Sequence, residues 1–234
     1  MAPPFLAYYA VYTSNFTLLH ATIEQCGLYR EALQSKDNSG LWSHIVGPPI
    51  PDPGLWSTGN AWAAAGMTRI LATVMHLPAT FCKSEKEKGW REKAIGDLTR
   101  WIKEIVDGVI DSTLDSHLLR NYLNDTLADG HGFGEISGSN LMANVVYRMA
   151  VLCPDVFAPS SGYKKLDRRY LDFADGIREV MAQGHVTANG TAIPAVNPLG
   201  WGDTTPFLAG SPEGQNFVVL MYCAWRDCVK VGIC

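Results

Sequence analysis

The chain lacks the signatures of most nucleotide, metal and serine chemistries. It contains no G-x-x-x-x-G-K-[ST], no G-x-S-x-G, no H-E-x-x-H and no G-x-G-x-x-G opening a helix. The Asp-rich DDxxD motif that a helical terpene cyclase needs is missing too. No C-x-x-C pair occurs, which excludes a zinc ribbon and a thioredoxin-like redox site. Charge is scarce: 18% of residues are charged, the net charge is −4, and no run of Lys or Arg stands out. Nucleic acid and anionic membrane surfaces are therefore poor partners. No apolar run reaches the length of a membrane span. No cofactor and no metal are expected.

What is present is apolar and evenly spread. Of 234 residues, 47% are hydrophobic, and no linker, low-complexity stretch or charge block divides them, so residues 1–234 are expected to form a single domain. The apolar opening "MAPPFLAYYAVY" has no basic residues before it and carries Pro3-Pro4. It reads as a helix with proline in its first turn rather than as a secretory leader. The six cysteines, Cys26, Cys82, Cys153, Cys223, Cys228 and Cys234, and the sequons at Asn15, Asn124 and Asn189 fit a secreted, disulfide-bearing glycoprotein. In the tail, Cys228–Cys234 or Cys223–Cys234 is the expected pair. Cys223 and Cys228 would lie about 140° apart on a helix, on nearly opposite faces.

Hydrophobic spacing predicts helices over residues 3–13, 15–34, 60–77, 84–110, 139–152, 163–183 and 214–230. A short strand is expected near Leu41–Val46, and no convincing sheet. The helices at 60–77, 139–152 and 214–230 are apolar and rich in small residues, and each follows a loop rich in Gly, Ser or Pro. Those at 84–110 and 163–183 are charged along one face. Inner apolar helices alternating with outer amphipathic ones are what a helical toroid requires. The loops "DPGLWSTGN", "GHGFGEISGSN" and "NPLGWGDTTPFLAGSPEGQ" would then gather at one end and form a pocket there.

Those loops hold the candidate site. Trp56 and Trp62 offer flat apolar faces for sugar rings, with Asn60 between them as donor and acceptor; the alternatives are core packing for the indoles and helix capping for Asn60. His44 is a histidine hydrogen-bonder or a catalyst. His131 and Glu135, in "GHGFGEISGS", are two proton carriers on one glycine-rich loop. Asp203, beside Trp201, suits a turn as well as a site.

Taken together, "APPFLAYYAV", "GLWSHI", "DPGLWSTGNAWAAAGM", "SGSNLMANVVYRMAVL" and "GQNFVVLMYCAWRDC" resemble glycoside hydrolase family 105, the unsaturated rhamnogalacturonyl hydrolases, in the form of its secreted fungal members. The resemblance runs along the whole chain. It implies an all-α, (α/α)6 toroid, of which this chain supplies about seven of twelve helices, and an extracellular location. It also implies an oligosaccharide substrate, a pectin fragment ending in a 4,5-unsaturated uronic acid that is released by hydration of the sugar's vinyl ether. His44 matches a sugar-contacting histidine. Trp56, Thr58, Asn60 and Trp62 fall on the family's W-x-R-G-N-G-W motif, with Thr58 where the family has an arginine suited to a carboxylate. The family's general-acid aspartate stands just before a Met-Ala-Pro-Pro-like segment, which here is Met1-Ala2-Pro3-Pro4, so no residue of this chain matches it. The alternative is therefore a truncated, inactive homologue that binds sugar. An opened ring would uncover Phe5, Leu6, Tyr8 and Tyr9 at one side and Phe217, Val218, Leu220 and Met221 at the other, a seam through which the chain would self-associate.

Overall fold

Helical periodicity organises almost everything that follows. The computed structural model describes residues 2–37, 39–126, 132–159, 168–197, 199–200, 203 and 205–234. Its helices are α1 (Ala2–Tyr12), α2 (Phe16–Leu33), α3 (Ser57–Met75), α4 (Glu85–Ile110), α5 (Ile136–Leu152), the single turn α6 (Pro154–Phe157), α7 (Arg169–Gly184) and α8 (Pro212–Lys230). The sheet found among the described residues is a minimal hairpin, β1 (Leu114–Asp115) against β2 (Leu118–Leu119), antiparallel with Leu114 opposite Leu119. The strand expected over Leu41–Val46 reduces to two isolated bridges, Gln34 with Trp42 and Ile45 with Asp52.

The caps explain where the helices start. Asn15 caps α2, its Oδ1 accepting from the Leu18 amide at 2.9 Å. Ser84 and Glu87 close a capping box on α4. Two inner helices begin three residues earlier than their apolar pattern suggests. For α3 the cap position is Trp56, not Asn60, which lies one turn inside. For α5 it is Glu135, whose carboxylate accepts from the Ser137 and Gly138 amides. The start predicted at 163 for α7 falls among residues 160–167, outside the described residues.

The elements pack as two layers of an arc. α1, α3, α5 and α8 are successive neighbours on the inside, with α2 behind α1, α4 behind α3 and α7 behind α5. Alanines and a threonine on α3 (Ala61, Ala64, Ala65, Thr68) let the inner backbones approach closely, and α5 is buried along most of its length. Each fully buried Leu, Ile or Met of this layer contributes about 1.5–3 kcal/mol. Polar contacts join the outer layer. Arg30 of α2 meets Glu104 of α4 at 2.6 Å; the Tyr170 hydroxyl of α7 donates to Asp107 of α4 at 2.7 Å. This is the all-α toroid architecture.

The two sides of the arc differ. On α1, Phe5, Tyr8, Tyr9 and Tyr12 are exposed and Leu6 is half-buried. On α8, Phe217, Val218 and Met221 are buried rather than uncovered, and Leu220 is half-buried. The expected seam is thus corrected on the α8 side. That helix lies along α5, and Phe217 meets Trp62 of α3 edge-on at 5.1 Å, which covers those side chains. At the chain's end the disulfide is Cys228–Cys234, with Cα atoms 5.4 Å apart, and Cys223 is a free thiol.

Candidate functional site

Three long connections, 34–56, 111–135 and 185–211, lie at the end where α3, α5 and α8 begin. Backbone hydrogen bonds brace them to one another and to the first residues of α3 and α5. The Ser57 amide donates to the Asn121 carbonyl at 2.8 Å, the Leu123 amide to Leu55 at 2.9 Å, and the Ile136 amide to Pro194 at 3.0 Å. Between them lies a cavity of about 400 Å3. His44, Trp56, Thr58, Asn121, Tyr122, Ser137, Asn197, Ser211 and Glu213 supply its polar and aromatic wall, with Ile45 and Val196.

The first connection folds back so that the Asp52 amide and carbonyl pair with those of Ile45, and the Asp52 carboxylate comes beside the His44 ring. His44 Nδ1 lies 3.0 Å from Asp52 Oδ2 and 3.0 Å from the Tyr122 hydroxyl, and that hydroxyl donates to the same Oδ2 at 2.5 Å. With the phenol proton committed to Asp52, Nδ1 is left to donate, and Nε2 makes no hydrogen bond to the described residues. Burial works against the Asp52 charge. The Tyr122 hydroxyl, the Gly54 amide and His44 outweigh it and hold the carboxyl below its ordinary value. Burial and the adjacent carboxylate push the Tyr122 phenol up. A Cβ at Gly54 would come within 2.4 Å of two carbons of the Tyr122 ring, closer than any real contact. Trp56 completes the cluster: its ring lies 4.7 Å from that of His44 and its Nε1 donates to Asn121 Oδ1 at 3.0 Å.

A second cluster sits beneath. Glu135 is 0% exposed. Its Oε1 accepts from Ser57 Oγ at 3.0 Å, Thr58 Oγ1 at 3.1 Å and the Gly138 amide at 2.5 Å, and its Oε2 accepts from the Ser137 amide at 2.5 Å. It therefore pins the first turn of α3 to the first turn of α5. Burial raises its carboxyl above the ordinary range despite these four donors.

The candidates from sequence separate accordingly. His44, Trp56 and Thr58 line one cavity. Asn60 is used by the chain itself: its Oδ1 accepts from the Trp42 amide at 2.8 Å and its Nδ2 donates to the carbonyls of Trp42 and Trp56. Trp62 lines a neighbouring apolar cavity with Pro3, Pro4 and Trp42. It reaches the His44 cavity only through Glu213, to whose Oε1 its Nε1 donates at 2.6 Å. Glu135 is enclosed between helices, and His131 lies outside the described residues. Asp203 accepts from the Thr205 amide at 3.0 Å, in a turn. Asp52, Tyr122 and Glu213 carry no signal of their role in the sequence. Asp52 and Tyr122 are 70 residues apart and meet only through tertiary structure, while Glu213, in "SPEG", reads as a first-turn residue after the Ser211 cap.

No family model matches the sequence, and no curated protein matches it. Solved structures do. A possible member of glycoside hydrolase family 105 from Salmonella enterica superimposes with a TM-score of 0.72 at 16% identity, over 95% of this chain and 53% of its own. A family 88 glycosyl hydrolase from Bacteroides vulgatus gives 0.67 at 14% identity, over 97% and 60%. A polysaccharide lyase gives 0.70 at 15%, over 97% and 60%. The chain thus spans little more than half the length of these structures, and over that span it has the helical-toroid fold of glycoside hydrolase families 105 and 88.

Proposed function

We propose that the chain is a carbohydrate-active protein of the unsaturated-uronyl hydrolase kind, and that its cavity seats the terminal 4,5-unsaturated uronic acid of a pectin-type oligosaccharide. The observation that carries this reading is the convergence of three helix N-termini on an aromatic cavity. Thr58 from the first turn of α3, Ser137 from the first turn of α5, and the Ser211 cap of α8 all line it. Each N-terminus carries roughly half a positive charge, set against the buried Glu135, whose carboxyl is raised, at α3 and α5 and against Glu213 at α8. Together with His44 they favour a sugar carboxylate where no arginine lines the wall among the described residues. Trp56 offers a ring face, and Asn121, Asn197 and Ser211 offer hydroxyl partners.

Hydration of the vinyl ether needs a proton delivered to C4 and water added at C5, after which the hemiketal opens and the remaining saccharide leaves. No residue of these 234 matches the family aspartate, so this chain taken alone is expected to bind the sugar without turning it over. One observation favours a second reading. Glu213, its Oε1 held by the Trp62 indole, is the one carboxyl side chain of the cavity wall among the described residues, and proton transfer to a sugar calls for such a group.

The test is tryptophan fluorescence titration with lyase-generated unsaturated rhamnogalacturonan disaccharide, run beside a turnover assay that follows loss of the substrate's ultraviolet absorbance. Saturable binding is expected, weakened at least about 10-fold by Trp56→Ala. Turnover that Glu213→Gln abolishes selects the second reading. Absence of binding to either the unsaturated sugar or its saturated counterpart overturns both.

A further inference from the structure

A carboxylate entering the cavity calls for a cation, and the wall holds no permanent one among the described residues. Neither lysine nor arginine lines it, and its ionisable side chains are His44, Tyr122 and Glu213. Tyr122 and Glu213 can only be neutral or negative, so His44 is the one group of that wall able to become positive.

The His44 ring is already arranged for that change. Its Nδ1 lies 3.0 Å from Asp52 Oδ2, and the Tyr122 hydroxyl donates its own proton to the same oxygen at 2.5 Å. The neutral ring therefore carries its proton on Nδ1 and a bare lone pair on Nε2, which hydrogen-bonds to no described residue. Asp52 sits behind the ring. Its carboxylate is not part of the cavity wall, whereas His44 is, with 23% of its side chain exposed. The hydroxyl of Tyr122 and the amide of Gly54 keep that carboxylate ionised. An ionised carboxylate on one ring nitrogen fixes the tautomer and stabilises the imidazolium that forms when the other nitrogen takes a proton.

From this geometry we infer that binding of the sugar carboxylate is coupled to uptake of one proton at His44 Nε2. The neutral imidazole present at alkaline pH becomes an imidazolium between the Asp52 carboxylate on Nδ1 and the sugar carboxylate on Nε2, and Asp52 is the positioning residue. The proton comes from solvent, and no bond of the sugar is made or broken. The inference rests on the reading that the cavity seats a uronic acid, and adds that a proton-gated histidine, rather than a fixed cation, recognises its charge. The groups that could compete for the proton are Glu213 in the wall and the buried Glu135 beneath it; the Tyr122 phenol, pushed up by burial and by Asp52, stays neutral.

The test is calorimetric titration of the full chain with lyase-generated unsaturated rhamnogalacturonan disaccharide, from mildly acid to alkaline pH, in buffers of different ionisation enthalpy. The methyl ester of the same disaccharide is the uncharged probe. Affinity for the acid is expected to fall by up to about 10-fold per pH unit toward alkaline pH, with a heat that depends on the buffer as one proton is taken up. The ester is expected to show neither effect. Asp52→Asn is expected to weaken binding of the acid at least about 10-fold and to flatten its slope, while Tyr122→Phe, which leaves Asp52 on Nδ1, keeps the slope. Nitrogen-15 NMR of the histidine-labelled chain without sugar is expected to show the Nδ1–H tautomer of His44 at alkaline pH. Binding of the acid with no pH slope, or with the slope of the ester, overturns the inference and leaves the sugar reading standing. So does a slope that Glu213→Gln removes and Asp52→Asn retains, which places the proton on Glu213. An Nε2–H tautomer in the free chain overturns the positioning by Asp52 whatever the sugar does. Failure of both acid and ester to bind overturns the sugar reading and the inference with it.

Discussion

Replacing Glu135 by alanine is expected to cost more than any other single change around the cavity, although the side chain never reaches solvent. Its carboxyl receives two backbone amides from α5 and two hydroxyls from α3, all buried. Losing this N-cap leaves two buried amides without an acceptor, at about 1–3 kcal/mol each, whereas the Ser57 and Thr58 hydroxyls can rotate toward other acceptors. The cost is about 2–6 kcal/mol, a large part of the 5–15 kcal/mol that stabilises a typical domain. Glu135→Gln keeps one carbonyl acceptor and the volume, and should cost less. The sign of the pH dependence also follows. Burial raises the folded-state carboxyl, so between the unfolded value, near 4.3, and the raised folded value the native state holds a proton that the unfolded chain has released. Wild-type stability must therefore fall as pH rises through that window, and Glu135→Gln must flatten this slope. Urea denaturation at a series of pH values measures both effects. Glu135→Ala within about 0.5 kcal/mol of wild type would refute the pin, and identical pH slopes in wild type and Glu135→Gln would refute the protonation argument.

Gly54→Ala should displace the Tyr122 ring, since the added methyl occupies its space, and should weaken sugar binding together with thermal stability; a structure or melt indistinguishable from wild type contradicts this. The depressed Asp52 carboxyl works in the opposite sense to Glu135. Its contribution is fully present above the unfolded value, near 3.9, and is lost as pH falls through the lower folded value. Urea denaturation at a series of pH values should accordingly show wild-type stability falling below about pH 4 more steeply than that of Asp52→Asn; identical slopes in the two would contradict this.

The architecture is legible in the sequence because it rests on local signals. The apolar period marks all seven long helices, Asn15 announces the cap of α2, and the small residues of α3 and α5 distinguish inner from outer helices. The early start of α5 is hidden because glutamate is an uncommon cap, and here it caps by reaching two amides from a buried position that only the α3 contact makes tolerable. The site is legible in part. His44 and Trp56 stand out as types and do meet, but the carboxylate and phenol that orient His44 come from positions 52 and 122, a pairing that no periodicity encodes. Asn60 draws notice as a polar residue between indoles, yet its amide holds the Trp42 backbone. The four α1 aromatics share one helix face, which the sequence spacing shows, whereas the burial of Phe217 and Met221 depends on how closely α8 lies along α5.

The connections at the two ends of the helices are unequal. At the end away from the cavity, α1 passes to α2 through residues 13–15, α3 to α4 through 76–84 and α5 to α7 through 153–168, which includes α6; at the cavity end the chain takes the longer 34–56, 111–135 and 185–211. Specificity and foldedness are thereby written into different stretches of the polypeptide. The packed helices leave little room for sequence drift, while the long connections can exchange side chains, and so sugar preference, with the scaffold unchanged beneath them. Because those connections hydrogen-bond to one another, they would have to change in concert, and relatives of this chain should diverge in blocks at the cavity end rather than residue by residue.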